Sequence, residues 1–189
     1  MLDAARQAPE KLETARLCLR RFRPGDLDDL EVICRDPGVE RYMGNRVPYG
    51  REGTVRLMGW FMGHWQLRGY GVYALEQRGK AGLAGYCGLI WPERNIYEGP
   101  EEQFPELTWT VSQAFRGLGF AGEAARAVLD MAFADLALPA VLCLAEQENF
   151  ASLRVAEKLG AERVRALENK GHANFLMRFR PGLLPDPFA

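Results

Sequence analysis

The stretch from Phe115 to Val128 reads FRGLGFAGEAARAV, and Gly117, Gly119 and Gly122 in it have the G-x-G-x-x-G spacing of a dinucleotide-binding turn. Glycines at such a turn let the backbone approach a ligand closely. The amides that open the following helical pattern, together with the helix dipole, make an anion site. Arg116 adds a fixed positive charge. A tight strand-to-helix turn with no ligand is the bland alternative. Three close glycines beside an arginine at a helix start favour the anion. A nicotinamide unit would place its first glycine directly after a fully buried strand. Here the residues Ser112 to Arg116 intervene, and the preceding strand alternates Leu107, Trp109 and Val111 with Thr108 and Thr110. The acid after the next apolar run is Glu146, which leaves 43 residues, too few for the rest of a doubly wound sheet. A nucleoside-triphosphate loop is excluded by the lack of any Gly-Lys-Ser/Thr.

The elements that must position this turn can be read from periodicity. Residues 1–12 are polar and unpatterned, a loose terminus. Thr14 to Phe22 alternates as a strand, and Asp26 is placed to cap a helix carrying Leu27, Leu30 and Ile33. Arg20 and Arg21 are read as strand surface. From Arg51 to Arg68 the spacing predicts a helix with Val55, Met58, Phe61, Met62 and Trp65 as its core stripe. Gly71–Gln77 and Leu83–Trp91 form a hairpin about Arg78-Gly79-Lys80. An acid-rich loop with Glu93, Glu98, Glu101 and Glu102 leads to the strand Glu106–Val111. A helix over Phe120–Leu136, a buried strand over Val141–Leu144, and a helix capped by Asn149 and ended by Gly160 follow. Strands near Arg163–Leu167 and Asn174–Phe179 close the domain before a proline-marked tail, residues 181–189. The order predicts a single α/β (α+β) domain over residues 13–180. Its sheet should be mixed, mostly antiparallel, of six to seven strands, with helices on both faces.

Composition narrows the function classes. The 189 residues hold 24 basic against 25 acidic side chains, a formal charge of −1, so nothing favours nucleic acid or an anionic membrane as partner. No run approaches a membrane span. Cys18, Cys34, Cys87 and Cys143 are scattered with no C-x-x-C pair, and there are two histidines, so no metal site is expected. Free cysteines in apolar runs fit a reducing, cytoplasmic setting.

The segment Arg116-Gly117-Leu118-Gly119-Phe120-Ala121 resembles the R-x-x-G-x-A/G coenzyme A turn of the GNAT acyltransferases. Asn149-Phe-Ala-Ser152-Leu-Arg-Val-Ala-Glu-Lys158-Leu-Gly160 is similar to that superfamily's second motif. The layout from about residue 14 to 179 fits as well. TARLCLRRFRPGDLDDL and PELTWTV resemble the branch of ribosomal-protein N-terminal acetyltransferases, the RimJ/RimL-like proteins. The resemblance implies a sheet splayed at its central strand, with the pantetheine arm in the gap against the backbone of Trp109, Thr110 and Val111. It implies pyrophosphate on the amides of Arg116, Gly117, Leu118, Gly119, Phe120, Ala121 and Gly122, and a pantetheine contact from Asn149.

The same resemblance assigns chemistry. Amide formation needs a proton taken from the amine, donors for an oxyanion, and stabilisation of the leaving thiolate. It places the oxyanion donor at the Val111 N–H. Glu106 is either the carboxylate that deprotonates the amine through water or a solvated acid beside Pro105. Ser152 is either the donor near the sulfur or an ordinary residue of the first helical turn. The tyrosine acid of other branches would fall at Ala156, which raises Ser152, and Ala161 replaces a common phenylalanine. Selectivity is expected from residues 42–50, the 51–68 helix and the 92–104 loop, whose glutamates either steer a cation or form a solvated face. The expected activity is direct N-acetyl transfer from acetyl-CoA to a small-molecule or peptide amine, by a monomer or homodimer. A non-catalytic acyl-CoA-binding domain is the alternative, and a nicotinamide oxidoreductase is disfavoured.

Overall fold

The computed structural model describes residues 7–42, 46, 49–92 and 104–185. Glu93, Glu98, Glu101 and Glu102 of the acid-rich loop lie outside the described residues. Eight strands form one sheet: β1 (Lys11–Glu13), β2 (Leu17–Arg21), β3 (Val72–Gln77), β4 (Leu83–Ile90), β5 (Glu106–Val111), β6 (Val141–Glu146), β7 (Glu162–Asn169) and β8 (His172–Phe179). Their order across the sheet is β1-β2-β3-β4-β5-β6-β8-β7. Every described pairing is antiparallel except β5 with β6.

Helices cover both faces. On one, α1 (Leu27–Cys34), α2 (Pro37–Glu40) and α3 (Arg51–Arg68) pack with Phe22, Val72, Ala74, Tyr86 and Ile90. On the other, α4 (Phe120–Ala134) and α5 (Phe150–Lys158) pack with Leu17, Leu19, Tyr73, Leu75 and Leu89. The alternation along β3, with Val72 and Ala74 one way and Tyr73 and Leu75 the other, is the two-residue period of a strand buried on both faces.

Several expectations shift. The eighth strand is β1, which begins inside the segment read as a loose terminus. Ala8 is buried, and its N–H donates to Gly69 O at 2.8 Å, so the fold starts earlier than residue 13. In the tail, Leu184 packs on the core and Arg126 donates to Pro185 O. Of the helical stripe, Met58, Phe61 and Trp65 are buried, joined by Thr54 and His64, whereas Val55 and Met62 are exposed. The buried line runs 54-58-61-65, and a residue one step along a helix points about 100° away. Asp26 does not cap α1 with its side chain; it ends a 3₁₀ turn, accepts from the Arg23 N–H at 2.8 Å, and holds Arg20. Arg20 is correspondingly not strand surface: its guanidinium lies inside, bonded to Asp26 at 2.7 Å and Glu76 at 2.6 Å.

The feature that matters for function is the β5–β6 junction. Their parallel ladder has one described paired position, Glu106 with Leu142, where Leu142 N donates to Pro105 O at 2.8 Å. Beyond it β5 stays on β4 as far as Val111, while β6 stays on β8 as far as Glu146. The two strands therefore part, and the central edges of both halves are open from that point.

Candidate active site

The gap is the axis of a cleft of about 1610 Å³. Single-ligand pockets are commonly ~300–1,000 Å³, so this cleft has room for two substrates side by side. It runs from Glu106 along β5 to the Gly117–Gly122 turn and is walled by α3 on one side and α5 on the other.

At the turn, Gly119 has φ 80°, a left-handed conformation at the N-cap of α4 that side chains with a Cβ rarely adopt. Among the described residues no side chain caps α4. Its first-turn amides are thus donors without a capping partner at the positive end of the helix dipole, facing the cleft. Helix α5 is the contrast: Asn149 caps it, with Oδ1 accepting from Ser152 N at 3.1 Å. Gly117, Gly119, Phe120, Ala121 and Gly122 line the cleft; Leu118 is exposed and does not.

The turn is braced by residues the sequence reading passed over. Arg16, between β1 and β2, donates Nη1 to Leu118 O at 2.8 Å and Nε to Glu123 Oε2 at 2.6 Å. Thr14 Oγ1 and Arg16 N donate to the other oxygen of Glu123, at 2.6 and 2.9 Å. The Arg16 guanidinium also lies over the Phe120 ring, 4.9 Å from its centre. Burial alone would raise the Glu123 carboxyl, but Thr14 and Arg16 hold it below the usual carboxylate range. Arg116 lines the cleft with its charge engaged elsewhere: Nη2 donates to Asp36 Oδ2 at 2.6 Å, while Asp36 Oδ1 accepts from Gly38 N and caps α2. An anion at the turn shares Arg116 with that cap.

Alternation along β5 decides which backbone groups meet the gap. Ser112 N donates to Ala84 O at 2.9 Å, toward β4, and Pro105 O faces β6. The two-residue period then turns the peptide groups of Trp109 and Val111 to the gap and those of Thr110 to β4. A Cβ on Gly85 would sit 2.1 Å from Thr110 O, which fixes that direction independently. Trp109 and Val111 can therefore offer backbone bonds to a ligand in the gap. Thr110 contributes its side chain, bonded to Tyr86.

Glu106 stands where the strands part and is 6% exposed, so it is not a solvated acid. It lines the cleft with Ser152, whose hydroxyl has no hydrogen-bond partner among the described residues. Ala156 is buried in the core, so the position of the tyrosine acid in other branches holds a packing residue here. Cys143 also lines the cleft, but burial and then the Glu106 charge push its thiol up, which keeps it protonated and a poor nucleophile. Among the described residues no group of three or more His, Cys, Asp or Glu is placed to hold a metal ion.

Further lining residues were not singled out one by one, although those of residues 42–50 and of α3 lie where selectivity was expected. Arg154 and Lys158 lie one turn apart on the α5 wall; Tyr49, Leu57 and Trp60 form the α3 side; His172 and Asn174 come from β8. For the β8 residues the local signal was the alternation that sends Phe175, Met177 and Phe179 to the core and Asn174 to the opposite face.

Comparison with known proteins agrees with this geometry. Residues 16–162 match the family model described as an acetyltransferase (GNAT) domain. The chain is 30% identical over 159 residues to the uncharacterized protein YkkB of Bacillus subtilis, covering 81% of this chain and 86% of that one. A GnaT-family protein from Bordetella pertussis superposes with a TM-score of 0.78 at 25% identity, over 90% of this chain and 99% of its own. RimL, a ribosomal-protein alpha-N-acetyltransferase solved in complex with coenzyme A, superposes with a TM-score of 0.74 at 15% identity, over 90% and 98%. With a central strand pair that parts beside an uncapped glycine turn, and with a family match spanning most of its length, this chain belongs to the GNAT acetyltransferase family.

Proposed function

We propose that the protein transfers an acetyl group from acetyl-CoA to a primary amine, directly, with both substrates bound in the one cleft. The observation that carries this reading is the single β5–β6 pair at Glu106, which opens a strand-lined gap leading to the uncapped start of α4. Coenzyme A suits both ends. Its pyrophosphate matches amides that no side chain caps, and its extended pantetheine arm matches an open strand edge. The RimL relative was solved with coenzyme A, which supports the same choice here.

In this reading Gly117, Leu118, Gly119, Phe120, Ala121 and Gly122 supply the phosphate amides, with Arg116 sharing its charge between phosphate and Asp36. Trp109 and Val111 bond the arm through their backbones, and Asn149 has its side-chain amide N–H left to donate. Glu106 takes the amine proton, directly or through a water, so that the nitrogen lone pair can attack the thioester carbon. The Val111 N–H, aimed into the gap, stabilises the charge gathering on the carbonyl oxygen as the C–N bond forms. When the C–S bond breaks, the Ser152 hydroxyl donates toward the departing thiolate. The protonated Cys143 supports direct transfer rather than an acyl-enzyme.

The test is release of free thiol from acetyl-CoA in the presence of a panel of primary amines, with N-acetyl product identified by mass. Amine-dependent release is the expected result. Tight coenzyme A binding without release for any amine would favour a non-catalytic acyl-CoA-binding domain.

A further inference from the structure

A short helix crosses the open end of the gap. Beyond Glu106 and Leu142 the strands part, so the chain leaving β5 at Val111 and the chain leaving β6 at Glu146 stand on either side of the mouth. Helix α2 is tied to both. At its start, Asp36 Oδ2 accepts from Arg116 Nη2 at 2.6 Å, on the β5 side. At its end, Arg41 is ion-paired with Glu148 at 3.5 Å, and the Tyr42 hydroxyl donates to Glu148 O at 3.4 Å, on the β6 side. Val39 of α2 packs in the layer of α1 and α3, on the opposite face of the sheet from α4. The Arg116–Asp36 pair therefore joins the two helical layers where the sheet is interrupted.

The polar ties at the two ends of α2 are unequal. The Asp36 side chain is 8% exposed, and its Oδ1 also accepts from Gly38 N at 2.8 Å. The Arg116 guanidinium lies against Gly38, where a Cβ would sit 2.6 Å from Nη1. The Glu148 side chain is 75% exposed, and an ion pair so open to water adds little. The stronger tie is thus Arg116, the residue before Gly117 of the glycine turn. A phosphate on the α4 amides would find that charge already held by a nearly buried carboxylate. The Arg116 side chain is 40% exposed and lines the cleft, so it has room to turn toward a phosphate. A diphosphate, with more than one negative charge, is the stronger attractor for it.

We infer that Asp36 is a positioning residue that holds Arg116 and the start of α2 in the free protein, and that the cofactor's phosphate takes Arg116 from it and releases that end of α2. This rests on the acetyl-CoA reading above and states how the charge of Arg116 is divided. Asp36 then weakens cofactor binding, because the binding-competent state is the one in which the pair is broken. Gly38 and Val39 of α2 line the cleft, so the same step loosens the wall opposite the cofactor turn once the cofactor is in place.

Asp36→Asn tests this with little other disturbance, because asparagine caps a helix about as well as aspartate and only the charge is lost. Coenzyme A binding to wild type, Asp36→Asn, Arg116→Ala and the double variant is measured by calorimetry. Asp36→Asn should bind about three- to tenfold tighter than wild type, a gain that shrinks in high salt and vanishes in the double variant. Amide hydrogen exchange of residues 38–42 is a second readout that needs no variant. Coenzyme A should speed it about threefold or more in wild type, whereas in Asp36→Asn it should be fast with or without ligand. An Asp36→Asn protein that binds coenzyme A no tighter than wild type would overturn the inference. So would a gain that persists in the double variant, or wild-type exchange that coenzyme A slows or leaves unchanged. Failure of the wild type to bind coenzyme A at all would sink the acetyl-CoA reading itself, and the inference with it.

Discussion

Glu106 and Ser152 line the cleft from opposite walls, one on the strand that bounds the gap and one on the helix across it. If Glu106 takes the amine proton, Glu106→Gln lowers kcat while acetyl-CoA affinity stays nearly intact. General acid–base groups contribute about 10²–10⁴-fold, and a water relay places the loss at the low end. Ser152→Ala gives a smaller loss, because a thiolate leaves fairly well unaided with a free-thiol pKa of about 8.5. If both groups act in one transition state, the double variant loses less than the product of the singles. Steady-state kcat for the three variants checks this; wild-type rates in both singles would leave positioning and the Val111 N–H as the whole catalysis. Gly119 bears on binding instead. At φ 80° a valine is strained, and its branches would crowd the amides. Gly119→Val should weaken coenzyme A binding at least ~100-fold, read by calorimetry on protein whose circular dichroism matches wild type.

At the scale of elements, the Gly117–Gly122 turn is held by a neighbour from the other end of the chain. Arg16 ties the β1–β2 connection to Leu118 O and to Glu123 in the first turn of α4. The guanidinium is half exposed, so its worth to stability is small. If the turn binds coenzyme A, this bracing keeps it in its binding shape before the ligand arrives and lowers the ordering cost of binding. Arg16→Ala should therefore weaken coenzyme A binding about 5- to 20-fold with little change in melting temperature. Arg16→Lys should recover part of the loss, since one ammonium cannot make the forked bonds to both Glu123 and Leu118. An unchanged affinity in Arg16→Ala would show that the glycines hold the turn unaided.

At the scale of the molecule, the Arg20 cluster joins β2, β3 and the turn into α1. Burial alone would raise the Asp26 carboxyl, but the hydrogen bonds from Arg20 and the Arg23 N–H hold it below its ordinary value. A carboxyl depressed in the folded state stabilises the fold above its unfolded pKa, and that contribution is lost as pH falls through the folded value. Unfolding free energy should thus fall steadily with pH below about 4. Asp26→Asn should cost about 3 kcal/mol at pH 7, because it leaves Arg20 half-paired in a nearly closed site, and should flatten the acid limb. Urea titrations of wild type and variant from neutral to acid pH measure it; an equal acid slope in the Asp26→Asn variant would place the acid sensitivity elsewhere. Among the described residues no helix is long and apolar enough to cross a membrane.

What the sequence determined by itself was local. The Gly117–Gly122 turn, the Asn149 cap and the β3–β4 hairpin each lie within about twenty residues. Their residue types act through backbone conformation and nearest-neighbour hydrogen bonds, which do not wait for the rest of the fold. The alternation of β5 showed that it was half-open, but not which edge or where. The tertiary structure decided what depends on distant partners. It set the parting of β5 from β6 and so which of Trp109, Thr110 and Val111 turns its backbone to the gap. It gave the Arg116 charge to Asp36, 80 residues away, and joined Arg16 to Glu123 across 107. It buried Glu106, closing the solvated-acid reading, and brought Trp60 from α3 and Asn174 from β8 into one cleft. A charged or aromatic side chain has the same local propensities whichever partner it meets. Its role is set by which elements the packed sheet brings beside it, and no spacing along the chain records that.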